Sequence, residues 1–403
     1  MLSCIAVSRS IVIIGAGIVG TAVAEQLSLS GDCSVTVVDR AGAGRLPGST
    51  GHAPGFVGMI ADHPIMIELA RDTIRLYRRL DRGGRSAFRS TGAVEIAWTA
   101  EGCRGLLRRL EQANSADIPA RLCAPDEAAR LAPRMVDGAR ARLGLHLPLD
   151  GAADATYITA ELRARARAAG ARFVANADVT GIRTHGDRIT GVHTPTETFP
   201  ADDVVIAGGI WGPRISALAG VRLPLVPVVH PYVYASAHTG THRAAPLVRW
   251  PDLGSYARDH GDRDGLGTSG HDPVPAPDLT WTAEVPWSST PLDQAIAAAL
   301  QAFPDAHRWS PERRFAGVLS ITPDKMPLVG RVGPDGLWVA EAIWVTHAAG
   351  AARVLAAMMH DEQGLKAVTS ALDPARFAHL TAEDCAAAAL GRYRTGVASR
   401  PSI

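Results

Sequence analysis

The sequence predicts an α/β fold in which a parallel-sheet domain is interleaved with a second domain built on antiparallel sheet. Three observations carry this. Short apolar runs at 11–14, 204–207 and 337–340, and 35–38 with one threonine, have the composition of strands covered on both faces. Segments with helical periodicity lie between and after them. From 223 to 287 the chain changes character to Pro-rich, β-like segments, with no low-complexity linker on either side.

Taken in order, Ile11, Val12, Ile13 and Ile14 run into Gly15-Ala16-Gly17-Ile18-Val19-Gly20 and then into an Ala- and Leu-rich helix. This matches G-x-G-x-x-G in its expected setting. The first glycine permits the tight turn, and the second lets backbone approach a pyrophosphate. The third lets helix and strand pack closely, and the phosphates rest on the helix N-terminus beside Ile18 and Val19. A second strand, 35–38, ends in Asp39, about 20 residues past the glycines, where a carboxylate accepts a hydrogen bond from a ribose hydroxyl. Arg40 alone would suit a 2′-phosphate, which Asp39 opposes by repulsion. These residues together predict a bound dinucleotide.

Ile65, Leu69, Leu76 and Leu80 share one face of a helix over 62–82. A strand at 93–98, helices at 101–114, 125–132 and 156–169, and strands at 172–174 and 179–182 follow, the last starting at Val179. The strand 204–207 ends at Gly208 and Gly209. A helix at 291–303 precedes the strand 337–340 and a final helix reaching Met359. The organisation expected is one discontinuous domain (1–90, 145–220 and 315–375), a second domain (91–144 and 221–314), and a peripheral tail at 376–403, where the sequence is polar and Ala-rich.

Composition excludes several classes. With 403 residues, 47% hydrophobic and 20% charged, the chain describes a globular enzyme of two or three domains. A net charge of +1 gives no attraction to nucleic acid or a membrane surface. No apolar stretch reaches the roughly 20 residues of a membrane span, and the first apolar run is broken by glycines, so no signal peptide is expected. Five cysteines, scattered and without C-x-x-C spacing, fit reduced thiols in a cytoplasmic setting and no metal site. Of 41 basic residues only Lys325 and Lys366 are lysine, which makes Lys325 conspicuous.

Beyond the fingerprint stands Gly48-Ser49-Thr50-Gly51-His52-Ala53-Pro54-Gly55. Further blocks are Gly209 to Gly212 with Trp211, and 322–350, which holds Thr322-Pro323-Asp324, Pro327-Leu328-Val329-Gly330 and Val339-Ala340-Glu341-Ala342-Ile343-Trp344-Val345-Thr346-His347. With the looser match at 256–262, these blocks resemble the D-amino-acid oxidase superfamily of FAD enzymes. The likeness is to the flavin domain of dimethylglycine oxidase, dimethylglycine dehydrogenase and sarcosine dehydrogenase. The resemblance implies a Rossmann-like FAD-binding domain and an antiparallel-sheet substrate domain. It makes His52 the residue joined covalently to the flavin 8α carbon, with Ser49 and Thr50 beside it. Imidazole is a competent nucleophile near neutral pH. Gly51 departs from the serine often found there. The cysteine attachment of monomeric sarcosine oxidases has no counterpart in Val318-Leu319-Ser320-Ile321.

Thr346 and His347 open the last helix, whose positive end would stabilise negative charge on a reduced ring. For substrate chemistry the resemblance points to His230, as base or orienting group, and to Tyr256, although the adjacent tyrosine of relatives is Ala257 here. Lys325, where relatives have small residues, can pair with a substrate carboxylate, promote reaction with oxygen, or point to solvent. The expectation is an FAD-dependent oxidoreductase acting on an N-methylated or other secondary or tertiary amino acid. Oxygen or an electron-transfer partner would be the acceptor, and no folate-binding module is expected within this chain. A tailoring oxidase on a larger amine, and a non-catalytic flavoprotein subunit, are the alternatives.

Overall fold

A computed structural model describes residues 9–81, 84–237, 245–276, 279, 281–287 and 289–393. A six-stranded sheet has the order Leu328–Arg331, Leu337–Glu341, Asp203–Ile206, Arg9–Ile14, Cys33–Val38, Arg172–Val174. Its neighbours are parallel except for the outer pair Leu328–Arg331 and Leu337–Glu341. The continuous apolar runs now have a cause. Ile11 and Ile13 pack with Ala22, Val23, Leu27, Ile158, Leu162 and Leu355 of the helices Ile18–Ser30, Ala155–Ala168 and Ala348–Met359. Val12 and Ile14 face the other way, onto Ile189, Val192 and Phe199 of the small sheet Gly181–His185, Arg188–His193, Thr198–Pro200. Strands apolar on both faces need this double cover.

The second sheet has eight strands, ordered Arg313–Ile321, Val226–Tyr234, Asp264–Thr268, Ser255–Asp259, Leu247–Trp250, Ala93–Ala97, Leu143–Leu147, Arg121–Cys123. Neighbours are antiparallel, except that Leu247–Trp250 runs parallel to Ala93–Ala97. One face buries Val94, Ile96, Val233, Val248, Ala257 and Leu266 against Ile296, Leu300 and Phe303. Alternation along Ser255–Asp259 therefore sends Ala257 into this core and Tyr256 to the opposite face.

Several expectations need revision. The divisions at 144/145 and 314/315 fall inside strands of the large sheet, where Leu145 pairs with Glu95 and Val318 with Val229. The helix placed at 62–82 spans Pro64–Tyr77, capped by His63, and Arg82 lies outside the described residues. The helix at 291–303 spans Ser289–Leu300, and the strand expected from 179 begins at Gly181. Residues 238–244, 277, 278 and 280 of the β-like stretch, together with Cys4 and 394–403, are also outside.

The C-terminal segment is not peripheral. Helix Ala382–Tyr393 lays Ala389, Leu390 and Tyr393 on Val228 and Ile321 of the large sheet, and Tyr393 is 3% exposed. Its exposed side carries Ala387 and Ala388, which hid the amphipathic pattern. Among the described residues no helix is long and apolar enough to cross a membrane.

Candidate active site

A cavity of about 1060 Å³ is lined by residues of both sheets. That reaches the upper end of the roughly 300–1,000 Å³ usual for small-molecule sites. Gly15, Gly17, Ile18, Val19, Asp39, Arg40, Ser49, Thr50, His52, Val179, Gly208, Trp211, His230, Tyr256, Lys325, Thr346 and His347 all lie on its wall. Gly20 does not. A Cβ there would sit 1.9 Å from the Gly15 carbonyl oxygen, so this glycine serves the packing of helix against strand behind the wall.

At one end Gly15 has φ +111°, and a Cβ would fall 2.3 Å from the Ala207 oxygen, so only glycine completes this turn. Asp39 fastens the loop: one carboxylate oxygen accepts from Ala16 N at 2.6 Å and the other from Ala41 N at 2.7 Å. Ile18 N donates to Thr50 Oγ1 at 3.1 Å, tying the fingerprint to the loop that carries His52. The Arg40 guanidinium lies 4.0 Å over the Trp211 ring and 5.0 Å from that of Trp281. Burial lowers the pKa of Arg40, and its Nη2 is buried without a hydrogen-bond partner among the described residues.

Glu341 is a site residue that sequence reasoning did not single out. It is 1% exposed, and its Oε1 accepts from Gly208 N at 2.6 Å. Burial drives its pKa well above the usual carboxylate range, while the backbone amides of Gly208 and Gly209 pull the other way. Its Oε2 is buried and unpaired among the described residues. The signal available was an acid inside an otherwise apolar strand. Two orphaned polar atoms, Arg40 Nη2 and Glu341 Oε2, thus border a glycine-rich cradle in a cavity of this size. These residues fit a polar dinucleotide such as FAD.

The loop 48–55 continues the wall. Ser49 Oγ donates to Val318 O at 2.8 Å. His52 Nδ1 lies 2.9 Å from Gly48 O, and because a carbonyl only accepts, Nδ1 carries the proton. Its Nε2 lies 3.5 Å from Glu284 Oε2. Gly51 also has a local reason: a Cβ would lie 2.0 Å from the Leu46 oxygen. A serine does not fit this path of the chain. Opposite, Thr346 Oγ1 donates to Phe56 O at 3.3 Å. His347, pushed down to about 4 by burial, is neutral at the start of the helix Ala348–Met359.

At the substrate end, His230 and Tyr256 stack with centroids 5.8 Å apart, and His230 Nε2 is 3.1 Å from Tyr256 OH. On the other side His230 Nδ1 is 2.9 Å from Tyr393 OH. Burial pushes His230 down to about 3 and raises Tyr256 above the ordinary phenol value, so both are neutral across the physiological range. Lys325 sits in a turn at φ +62°, and its N donates to Thr322 O at 3.1 Å. Burial takes its pKa down to about 8, against the pull of Asp62. It lines the cavity with Arg249, which leaves the cavity-facing reading of Lys325 rather than the solvent-facing one. Ala257 does not reach the cavity at all.

Comparison with known proteins places the chain in a family. The chain is 27% identical over 391 residues to human mitochondrial dimethylglycine dehydrogenase, which covers 92% of this chain and 44% of that protein. It is 26% identical over 343 residues to human mitochondrial sarcosine dehydrogenase, covering 80% and 36%. The chain thus spans less than half the length of these relatives. L-proline dehydrogenase from P. horikoshii superposes with a TM-score of 0.81 at 23% identity, covering 92% of this chain and 98% of that one, and so shares the fold. The profile described as FAD dependent oxidoreductase matches residues 10–358. The chain belongs to the FAD dependent oxidoreductase family.

Proposed function

We propose that this protein oxidises the C–N bond of an N-methylated or other secondary or tertiary amino acid of the dimethylglycine or sarcosine type. The observation that carries the reading is the neutral His230–Tyr256 pair on the wall of the same cavity as the glycine fingerprint. FAD, when bound, supplies the two-electron acceptor that such an oxidation needs. Gly15, Gly17, Ile18 and Val19 would hold its pyrophosphate, Asp39 its ribose, and Arg40, Val179, Gly208 and Trp211 the neighbouring wall. His52, whose Nδ1 is engaged by Gly48 O and whose Nε2 is the other ring nitrogen, is the residue we assign to covalent attachment. Ser49, hydrogen-bonded to Val318 O, and Thr50, hydrogen-bonded to Ile18 N, fasten the loop that carries it. Thr346 and His347, at the positive end of a helix, would favour negative charge nearby.

His230 and Tyr256 orient the amine. A substrate nitrogen must be unprotonated to give up hydride from its adjacent carbon, and this pair offers hydrogen-bonding atoms through which the departing proton can pass. Lys325 and Arg249 supply positive charge for a substrate carboxylate. The iminium product hydrolyses in water to an aldehyde and a shorter amine, and oxygen as acceptor would give hydrogen peroxide. The names of dimethylglycine dehydrogenase and sarcosine dehydrogenase support this substrate class. The argument for a larger substrate weakens, because Ala257 faces the core.

Acid precipitation of the purified protein tests the attachment: yellow colour held in the pellet is expected, and colour released to the supernatant refutes the His52 bond. Anaerobic titration with N,N-dimethylglycine and sarcosine tests the reaction. Bleaching by either supports it, and a flavin that no amine reduces points to a non-catalytic subunit.

A further inference from the structure

Three side chains link the substrate cavity to a histidine behind it. Tyr256 OH is 3.1 Å from His230 Nε2, His230 Nδ1 is 2.9 Å from Tyr393 OH, and Tyr393 OH is 3.0 Å from His271 Nε2. His271 Nδ1 is in turn 2.7 Å from the carbonyl oxygen of Asp272. That last contact orients the chain. A carbonyl only accepts, so His271 Nδ1 carries a proton, and in neutral His271 the lone pair is on Nε2. Tyr393 must then donate to His271 and accept from His230 Nδ1–H, which leaves the His230 Nε2 lone pair to accept from Tyr256. Every donor has one acceptor, with no proton left over. Tyr256, His230 and Tyr393 line the cavity, while His271, 6% exposed, lies behind Tyr393.

We infer that Tyr393, from the C-terminal helix, and His271 form a proton relay that carries the substrate ammonium proton away from the cavity. The inference rests on the amine-oxidising reading of the same site. Its balance is simple. The substrate N–H proton passes to Tyr256 O as the Tyr256 proton passes to His230 Nε2. The His230 Nδ1 proton then passes to Tyr393 O, and the Tyr393 proton to His271 Nε2. The substrate becomes a neutral amine, His271 becomes imidazolium, and no electrons move.

Burial explains why a relay is needed, since His230 holds a proton poorly where it sits. The two tyrosines, both raised in pKa by burial, conduct without ionising. The titratable groups that face His230 are Tyr256, Tyr393 and His271, with Tyr234 and Arg249 acting on Tyr256 through charge. Tyr393 and His271 are positioning residues here, acting on substrate through His230.

The relay predicts a coupled tautomer change. When His271 takes up a proton, its Nε2–H donates to Tyr393, Tyr393 donates to His230 Nδ1, and His230 becomes the Nε2–H tautomer. Histidine-labelled ¹⁵N spectra of the holoenzyme, assigned with His230→Gln and His271→Gln, read this without substrate. Expected is a His230 switch at the same midpoint as the His271 titration, abolished in Tyr393→Phe while His271 still titrates. A His230 ring that keeps one tautomer through the His271 titration overturns the relay. With N,N-dimethylglycine or sarcosine as reductant, Tyr393→Phe and His271→Gln should each move the acidic limb of the anaerobic reduction rate by about one pH unit or more. An unmoved limb in both also overturns it. If neither amine reduces the flavin, the proposed reaction fails, and the spectra still decide the relay.

Discussion

Replacing Asp150 by asparagine tests how the buried charges below the cavity control stability. Asp150 is 3% exposed, and its Oδ1 accepts from Met59 N at 2.9 Å. Burial pushes its pKa up to about 7, and Glu95 adds to the rise, while Met59 N, Arg109 and Arg249 oppose it. Relative to an unfolded carboxyl near ~3.9, a rise of about 3 units corresponds to ~4 kcal/mol. The folded pKa is the higher one, so the folded protein binds this proton more tightly. The stability gained is fully present below the unfolded value and is lost as pH rises through about 7. Asp150→Asn keeps an oxygen to accept from Met59 and never ionises, so it lacks this slope. The variant should gain on the wild type by up to ~4 kcal/mol between about pH 4 and pH 7, with a constant difference above. Urea unfolding followed by tryptophan fluorescence at several pH values measures the difference. Stability curves that run parallel for the two proteins across this range would refute the reasoning.

Three further substitutions probe the site. Gly51→Ser places a Cβ 2.0 Å from the Leu46 oxygen, so the loop must move at a cost of about 1–3 kcal/mol, and acid-stable flavin should fall. Full covalent incorporation would contradict that account. Tyr256→Phe leaves His230 Nε2 buried without its donor, which costs about 1–3 kcal/mol and should slow anaerobic flavin reduction roughly tenfold to a hundredfold; a rate within twofold of wild type tells against the pair. Lys325→Met should raise KM for an anionic amine about tenfold below pH 8, where the lysine is charged. Above pH 8 the wild-type KM should rise toward that of the variant. Unchanged turnover and KM would remove Lys325 from the site.

Features encoded in consecutive residues were legible in the sequence. The fingerprint, its flanking strands and the 48–55 loop work through neighbouring backbone, and their side-chain types follow from local geometry. Tyr393 and His271 were not legible, because Tyr393 meets His230 from 163 residues away and His271 from 122 residues away, set only by how the last helix docks. Glu341 was quoted within a motif, but its isolation from water depends on Gly208 and Gly212 closing over it. Ala257 was read as a substrate-side change, whereas the pleat turns it into the core. The parallel pairing of Leu247–Trp250 with Ala93–Ala97 joins segments about 150 residues apart, and no local pattern announces it.

The strand orders have a consequence for how the chain is made. In the six-stranded sheet Asp203–Ile206 lies between Arg9–Ile14 and Leu337–Glu341, and in the eight-stranded sheet Val226–Tyr234 waits for Arg313–Ile321. During synthesis the eight-stranded sheet cannot be completed before residue 321 has been made, nor the six-stranded one before residue 341. Such long-range pairing makes for slow folding, with strand edges exposed meanwhile. A nascent chain of this design would rely on holding factors until late in translation, and its cofactor cradle would be completed in the last steps. Expression at lower temperature, with flavin in supply, should raise the folded yield more than stronger transcription does.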